Sequence, residues 1–497
     1  MRVLFVTSEV EPLAKSGGLA DVSRALPVAF RERGVDVRIL LPGYPSAMQQ
    51  IKSPRVEAHL RSLLGVESAA LISGYLPDSN VPVWLVHAPS LFSRVGGLYQ
   101  NDDGQDWTDN ALRFAFFAHV AAEIACGCLL DWKPDIVHAN DWHAGLVPLL
   151  LSSRQNQKPS SIFTIHNLAF QGNFPRDVVP AIGIPESSFT AEGVEFYGQI
   201  SYLKAAIRYS DLVTTVSPTY AKEVLSPEFG CGFDGVLRAR GADFCGILNG
   251  IDNESWNPAT DVHLAHRFNA SDISGKRLCK AEFQAAFGLE VRPDVPLIGF
   301  ASRIAHQKMA DVVLEAVPAM IAAGAQFALV GEGDPGLETA FEELVPLYPG
   351  KIGVNIGYEE ALAHRLQASA DILLAPARFE PCGLTQLYAQ RYGTVPIVRR
   401  TGGLADTVTD AGLAGATGFV FGEATSAGLM GCVERALTLY KEPLTWRRLQ
   451  LKSMTEDFGW DASADRYIAL FRQLTGIDFQ ALEASVPIPE KLKEFAN

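Results

Sequence analysis

The sequence predicts an α/β protein built from two Rossmann-like, doubly wound domains. Three observations carry that expectation. The chain has 497 residues, too many for one ordinary core and enough for two or three domains. Short apolar runs of strand length alternate with amphipathic segments along the chain. A polar stretch rich in Gly, Asn and Pro, CGILNGIDNESWNPATD, interrupts the series near residues 245–258. Strands that are apolar throughout imply parallel sheets covered on both faces.

The first series opens with RVLFVTS. After the stretch KSGGL, Leu19, Val22, Leu26, Ala29 and Phe30 recur at helical spacing, and Gly34 is placed to end that helix. VDVRILLP is the next strand, followed by VPVWLVH, DIVHAN, SSIFTIH and DLVTTVS. These elements give a first domain over 1–245. The second series, VPLIGFAS, AQFALVG, KIGVNIG, DILLAPA, TVPIVRR and GFVF, gives a second domain over 250–458. Two such domains are expected to face each other across a deep cleft, with ligands at the carboxyl ends of the strands. SGGLADV at 16–22 is echoed by TGGLADTV at 401–408. Both read as glycine turns from strand to helix.

Bulk properties exclude several functions. Hydrophobic residues make up 48% and charged residues 20%, the balance of a globular protein. A formal net charge of -14 argues against a nucleic-acid partner or an anionic membrane. The seven cysteines are odd in number and form no C-x-x-C, which fits a reducing cytoplasm. The opening MRVLFVTSEVEP reads as a strand rather than a signal peptide. No apolar run approaches the roughly 18 residues of a membrane span.

Five stretches hold candidate chemistry. In KSGGL, Lys15 and the Gly17-Gly18 turn precede a helix. They suit either an anion at a helix N-terminus or a tight packing turn. Arg303 and Lys308 leave the tip of VPLIGFAS five residues apart, a placement suited to a diphosphate. In PARFEPCGLTQLYAQRYG, Glu380 precedes a turn, and Gly383, Leu384 and Thr385 open a helix. One acid beside several donors suits a hydroxyl-rich ligand carrying a phosphate. HANDWHAG and TIHNLAFQG stand at two strand ends of the first domain. His138, Asp141 and His143 are candidate metal ligands, but alternate strand residues point to opposite faces, which disfavours a metal. His166 and Asn167 suit sugar hydroxyls better. DDGQD at 102–106 reads as an exposed polar loop.

Together these motifs resemble the bacterial glycogen synthases and plant starch synthases, retaining glucosyltransferases of the two-Rossmann-domain (GT-B) type. The resemblance runs through KSGGLADV, LLPGYP, PDIVHANDWHAG, FTIHNLAFQG, GQISYLKAAI, VSPTYAKEV, LNGIDNESWNP, SRIAHQK, RFEPCGLTQLY and YGTVPIVRRTGGLADTV, nearly the whole chain. It implies glucose transfer from ADP-glucose to the nonreducing-end 4-hydroxyl of an α-1,4-glucan such as glycogen. It makes Arg303 and Lys308 a diphosphate clamp and Glu380 the carboxylate on the glucose hydroxyls. Gly383, Leu384 and Thr385 become the phosphate-binding helix start, and Lys15, Gly17 and Gly18 a donor contact from the first domain. Asp141, His166 and Asn249 fall on sugar-side positions, Tyr358 near the adenine, and Tyr99 and Trp142 on the acceptor side. It also implies that the last helices, about 460–497, return to the first domain. No metal or other cofactor is implied, and a homo-oligomer is compatible with these features. Where the family usually continues QK-Gly-Leu, this chain has Met309 and Ala310.

The resemblance also frames the chemistry. No second carboxylate stands near His166 to form a covalent intermediate of the retaining-glycosidase kind. Same-face departure and attack remains, with the leaving diphosphate accepting the acceptor's proton and cations stabilising it. A nicotinamide oxidoreductase is the rival from fold alone, but no G-x-G-x-x-G follows the first strand. A non-catalytic glucan-binding protein would need no diphosphate clamp. A phosphorylase would need pyridoxal phosphate on a lysine. UDP-glucose is the alternative donor.

Overall fold

The computed structural model describes residues 1–154, 158–357 and 359–476. The chain forms two compact units. The first takes Met1–Ile165, Ala169–Val213 and the described residues from Asp461 onward. The second takes His166–Leu168 and Thr214–Trp460. Among the described residues no helix is long and apolar enough to cross a membrane.

The sheet of the first unit contains β1 (Arg2–Val6), β2 (Asp36–Pro42), β3 (Lys52–Leu60), β4 (Ala69–Tyr75), β5 (Pro82–His87), β6 (Ile136–Asn140), β7 (Ser160–Ile165) and β8 (Leu212–Thr215). They lie in the order β3-β4-β5-β2-β1-β6-β7-β8. From β5 to β7 the pairing is parallel, whereas β3, β4 and β5 pair antiparallel. This corrects the expectation of a parallel sheet alone, because the sequence pattern did not reveal β3 and β4. KSPRVEAHL is charged, mostly exposed and carries Pro54. An edge strand tolerates all three, so it lacks the apolar signature of a central strand.

Helix Gly18–Glu32 buries Leu19, Val22, Leu26, Ala29 and Phe30, the face its periodicity marks. Phe30 meets Tyr467 and Phe471 edge-on, at ring-centroid distances of 6.1 and 5.3 Å. The Arg33 guanidinium donates to Asp461 and Asp465 at 2.8 and 2.5 Å. Helix Asp461–Thr475 thus belongs to the first unit. The part of the expected C-terminal return beyond residue 476 lies outside the described residues.

The second unit has a six-stranded parallel sheet: β9 (Leu297–Ala301), β10 (Gln326–Gly331), β11 (Ile352–Ile356), β12 (Ile372–Ala375), β13 (Val395–Arg399) and β14 (Phe419–Phe421). The order is β11-β10-β9-β12-β13-β14, that of a dinucleotide-binding Rossmann sheet, and it reverses direction between β9 and β12. Ile298, Phe300, Phe327, Leu329 and Ile372 are buried in one core. Their neighbours Leu297, Ala328 and Val330 are buried in another. Both faces are therefore covered, as their apolar sequences require. At the start of these strands, Asp371 accepts the Lys280 ammonium at 2.7 Å and the Leu297 amide at 2.8 Å.

The units divide between Val213 and Thr214 rather than near residue 245, and side-chain contacts explain why. Helix Pro218–Glu223 is tied to residues far along the chain. Glu223 accepts the Gly402 amide and the Thr401 hydroxyl, both at 3.0 Å. Thr219 donates its amide and hydroxyl to Asp406 at 2.8 and 2.6 Å. Ser217 donates to the Pro381 carbonyl at 2.7 Å. The Leu168 amide reaches the Tyr220 hydroxyl at 3.2 Å, which brings His166–Leu168 along.

The two glycine turns share a sequence but not a packing role. Gly402 has φ +43°, and a Cβ there would lie 1.8 Å from the Glu380 carbonyl oxygen. A Cβ on Gly403 would lie 2.1 Å from the Cys382 oxygen. At Gly17 an added Cβ meets nothing within 4 Å. The packing-turn reading therefore applies to TGGL, whereas Gly17 is not required by contacts among the described residues. Gly402→Ala should destabilise the second unit by roughly 1–3 kcal/mol or more, as overpacking does. Gly17→Ala should change unfolding by less than about 1 kcal/mol. Urea unfolding of both variants checks this; equal losses would refute the distinction.

Candidate active site

The second unit's site sits where β9 and β12 diverge, at their carboxyl ends. Ser302, Lys308, Pro376, Glu380, Gly383 and Thr385 line a small crevice there. Two loops meet in it. Residues 302–309 leave β9, and residues 376–384 leave β12. They are stitched by the Arg378 amide donating to the Gln307 carbonyl at 2.8 Å. The Gln307 side-chain amide also donates to the Phe379 carbonyl at 3.2 Å. The Arg378 guanidinium forks onto Asp311 with two 2.8 Å bonds. That pair holds the Asp311 carboxyl below its usual range.

This stitching brings together the residues that the sequence singles out. The Lys308 ammonium forms an ion pair with Glu380, whose side chain is almost fully buried. Arg303 is exposed at the same strand mouth and donates to the Gln307 oxygen at 3.1 Å. Gly383 has φ +75° and precedes the short helix Thr385–Arg391, with Leu384 at its N-cap. The Asn249 amide hydrogen-bonds the Cys382 thiol, which places this half of LNGIDNE against the same loop. Gly403 donates its amide to the Glu380 carbonyl at 3.1 Å, so TGGL forms the floor beneath Glu380.

Met309, where the resemblance implies glycine, has φ +54° and ψ 33°, a left-handed conformation that glycine adopts at least cost. Its side chain is fully buried. The backbone geometry that a glycine would serve is kept despite the substitution. The cost is local strain beside Lys308, offset by a buried side chain.

The first unit's site sits at the corresponding place, where β1 and β6 are neighbours and the chain runs outward from each. Lys15-Ser16-Gly17-Gly18 is exposed. The Lys15 ammonium pairs with Asp21 at 2.8 Å and lies 3.8 Å from Glu11. Beneath the loop lies Glu9, which the sequence did not suggest as a site residue. It is 4% exposed. One carboxylate oxygen accepts the amides of Ser16 and Gly17 at 2.7 and 2.9 Å, and the other accepts the Tyr99 hydroxyl at 2.7 Å. Burial pushes its carboxyl above the ordinary range, against the pull of these three bonds. The available signal was an acid directly after an apolar strand.

Tyr99 stacks on His143, with ring centroids 4.2 Å apart and planes at 25°. Trp142 lies against the other rings, 4.0 Å from His143 and 6.4 Å from Tyr99. Asp141 precedes them, 7% exposed, with φ 52° and ψ 177°. That region is close to glycine-only territory, and such strain concentrates at functional sites. The amide of Asp141 donates to the Thr164 carbonyl at 3.0 Å, which helps hold it there.

His143 and His166 are held neutral. Burial and the nearby Arg113 guanidinium hold the His143 imidazole well below its ordinary value. Burial pushes His166 down to about 3. His138 hydrogen-bonds the Thr164 hydroxyl at 2.7 Å. Among the described residues no cluster of three His, Cys, Asp or Glu is placed to hold a metal. In the 102–106 loop the amides of Asp103 and Gln105 turn onto the Asn101 side chain at 3.1 and 2.9 Å. Tyr358 lies outside the described residues.

The model of the starch synthase catalytic domain matches residues 2–239, and that of group 1 glycosyl transferases matches residues 295–438. The two Rossmann-like units and these matches define a glycosyltransferase of the GT-B architecture. The glycogen synthase of Paramagnetospirillum magneticum is 49% identical over 484 residues, covering 96% of this chain and 98% of that protein. That of Burkholderia thailandensis is 50% identical over 481 residues, covering 95% and 90%. With such identity over almost its full length, the chain belongs to the glycogen synthase family, and it is an enzyme of glycogen biosynthesis. The catalytic domain of starch synthase IV from Arabidopsis thaliana, solved with ADP and acarbose, matches with a TM-score of 0.87 and 32% identity, over 96% of this chain and 99% of that one.

Two predictions come from this geometry. Met309→Gly and Met309→Ala both remove the buried side chain, but glycine relieves the left-handed strain. The glycine variant should be the more stable by about 1–2 kcal/mol in urea unfolding; the reverse order would refute the strain. The second concerns acid. Unfolding lets His143 take up a proton once pH falls below its ordinary value near 6.5. The folded site refuses that proton, so stability is present above pH 6.5 and falls as pH drops through that value. His143→Phe should make this acid loss shallower by up to about 1.4 kcal/mol per pH unit. Parallel slopes between pH 7 and pH 5 would count against it.

Proposed function

We propose that this enzyme transfers glucose from ADP-glucose to the nonreducing-end 4-hydroxyl of an α-1,4-glucan, with retention of the anomeric configuration. The observation that carries this reading is the Lys308–Glu380 pair at the switch point of the second unit, with Arg303 at the same strand mouth. A crevice offering cations, one carboxylate and a helix start suits a sugar joined to a diphosphate. The solved starch synthase with ADP and acarbose supports a nucleotide donor and a glucan acceptor.

The roles follow from charge. Lys308 and Arg303 stabilise the diphosphate as the bond from the glucose C1 to the phosphate oxygen breaks. Glu380, relieved of part of its pairing to Lys308, accepts hydrogen bonds from the glucose hydroxyls. The acceptor 4-hydroxyl then bonds C1 on the face the diphosphate leaves, and its proton passes to a diphosphate oxygen. ADP and a glucan longer by one glucose are the products. Gly383 to Thr385 and Asn249 hold the donor, Asp141 and His166 the sugar, and Tyr99 and Trp142 the acceptor. A neutral His166 can donate or accept a hydroxyl hydrogen bond without adding charge. Lys15 gives the donor a further cation from the first unit, exchanging Asp21 for phosphate.

Radiolabelled glucose transfer to glycogen from ADP-glucose and UDP-glucose, measured side by side, tests this. Label should enter glycogen from ADP-glucose in preference, with one ADP released per glucose. Lys308→Ala should lower kcat/KM by roughly two or more orders of magnitude. Preference for UDP-glucose would overturn the donor assignment. No incorporation from either donor would overturn the reaction.

A further inference from the structure

We infer that Glu9 is a positioning residue for glucosyl transfer, holding the donor loop Lys15–Gly18 and the Tyr99 ring on one buried carboxylate. The inference rests on the functional reading above, which places Lys15 on the donor and Tyr99 on the acceptor.

The geometry is specific. Glu9 follows the carboxyl end of β1. Its Oε2 accepts the backbone amides of Ser16 and Gly17, while Oε1 accepts the phenol of Tyr99. The same phenolic oxygen shares a 2.7 Å hydrogen bond with the Ser8 hydroxyl. A carboxylate taken out of water is costly unless its oxygens are satisfied. Three donors satisfy this one.

The arrangement decides which loop amides remain for a ligand. Those of Ser16 and Gly17 are consumed by Glu9 and cannot cradle a phosphate. Helix Gly18–Glu32 begins directly afterwards, and its first turn leaves the amides of Gly18 and Leu19 without partners in the helix. The loop therefore offers an anion the Lys15 ammonium and those two amides. The loop is exposed, and an added Cβ on Gly17 would touch nothing, so packing does not set its backbone. Glu9 supplies that constraint from the strand. Through Tyr99 the same carboxylate fixes the stack of Tyr99 on His143, beside Trp142. Donor and acceptor contacts of the first unit thereby share one anchor.

The test compares Glu9→Gln, Glu9→Ala and Tyr99→Phe in the full chain. Two readouts are taken: KM and kcat for ADP-glucose and glycogen, and amide hydrogen exchange of residues 14–19. Glutamine can still accept both amides through its oxygen and donate to the phenol through its nitrogen. Glu9→Ala should raise both KM values by about tenfold or more and speed exchange at Ser16 and Gly17. Glu9→Gln should recover most of that loss and keep exchange slow. Tyr99→Phe should raise the glycogen KM and leave loop exchange unchanged. If glutamine proves as damaging as alanine while exchange stays slow, the carboxylate charge acts in the chemistry and the positioning role is overturned. Unchanged exchange in Glu9→Ala would also overturn it. Should alanine prevent folding, the Gln and Phe variants still decide between these outcomes. A wild type that moves no glucose from ADP-glucose would sink the functional reading instead, and exchange would still judge the tie.

Discussion

The peptide carbonyls of Glu380 and Cys382 rest against Gly402 and Gly403, respectively, with no space for a methyl group between them. The second unit's site depends on that contact. It sets the height of the loop after β12 and so the position of the Glu380 carboxylate beside Lys308. Glu223 and Thr219 hold the glycine turn from beneath, through Gly402, Thr401 and Asp406. A buried ion pair is weak evidence for stability, because desolvation offsets most of its attraction. Lys308 and Glu380 are better understood as charges kept in place by backbone packing than as a source of folding energy.

Both units place chemistry at the point where their strand order reverses. At such a point loops leave in opposite directions and expose the strand ends. The two glycine turns near these sites are adapted differently. In the second unit the turn is filled by the chain itself. In the first it stays exposed, and a buried carboxylate fixes its amides from the strand side. The chain's net charge is -14, so the cations Lys15, Arg303 and Lys308 stand out locally against an acidic whole. Local charge, not the total, governs a small anionic ligand.

Strain lies beside the same positions. Asp141 and Met309 both have positive φ without being glycine. Asp141 turns the chain directly after β6. Met309 ends the segment that carries Lys308 and begins helix Ala310–Ala322. Each such conformation costs on the order of 1–3 kcal/mol and persists only where surrounding contacts over-determine it. For Met309 the surrounding contact is complete burial; for Asp141 it is a bond to the neighbouring strand.

The central strands of both sheets were legible in the sequence, because a strand buried on both faces must be apolar throughout. The helix over Gly18–Glu32 was legible for a similar reason, through the spacing of its buried side chains. So were Lys308, Glu380 and the two glycine turns, since charge and glycine at a strand end are local signals. The edge strand β3 was not legible, because an exposed edge imposes no apolar pattern. Nor were the roles of Glu9 and Glu223. Glu9 acts on Tyr99, 90 residues away, and Glu223 on Gly402, 179 residues away. Sequence alone determined which segments must be buried and where the backbone must turn. Tertiary structure decided which distant groups satisfy each buried carboxylate, because a hydrogen-bond partner is chosen by proximity in space and leaves no periodic trace along the chain.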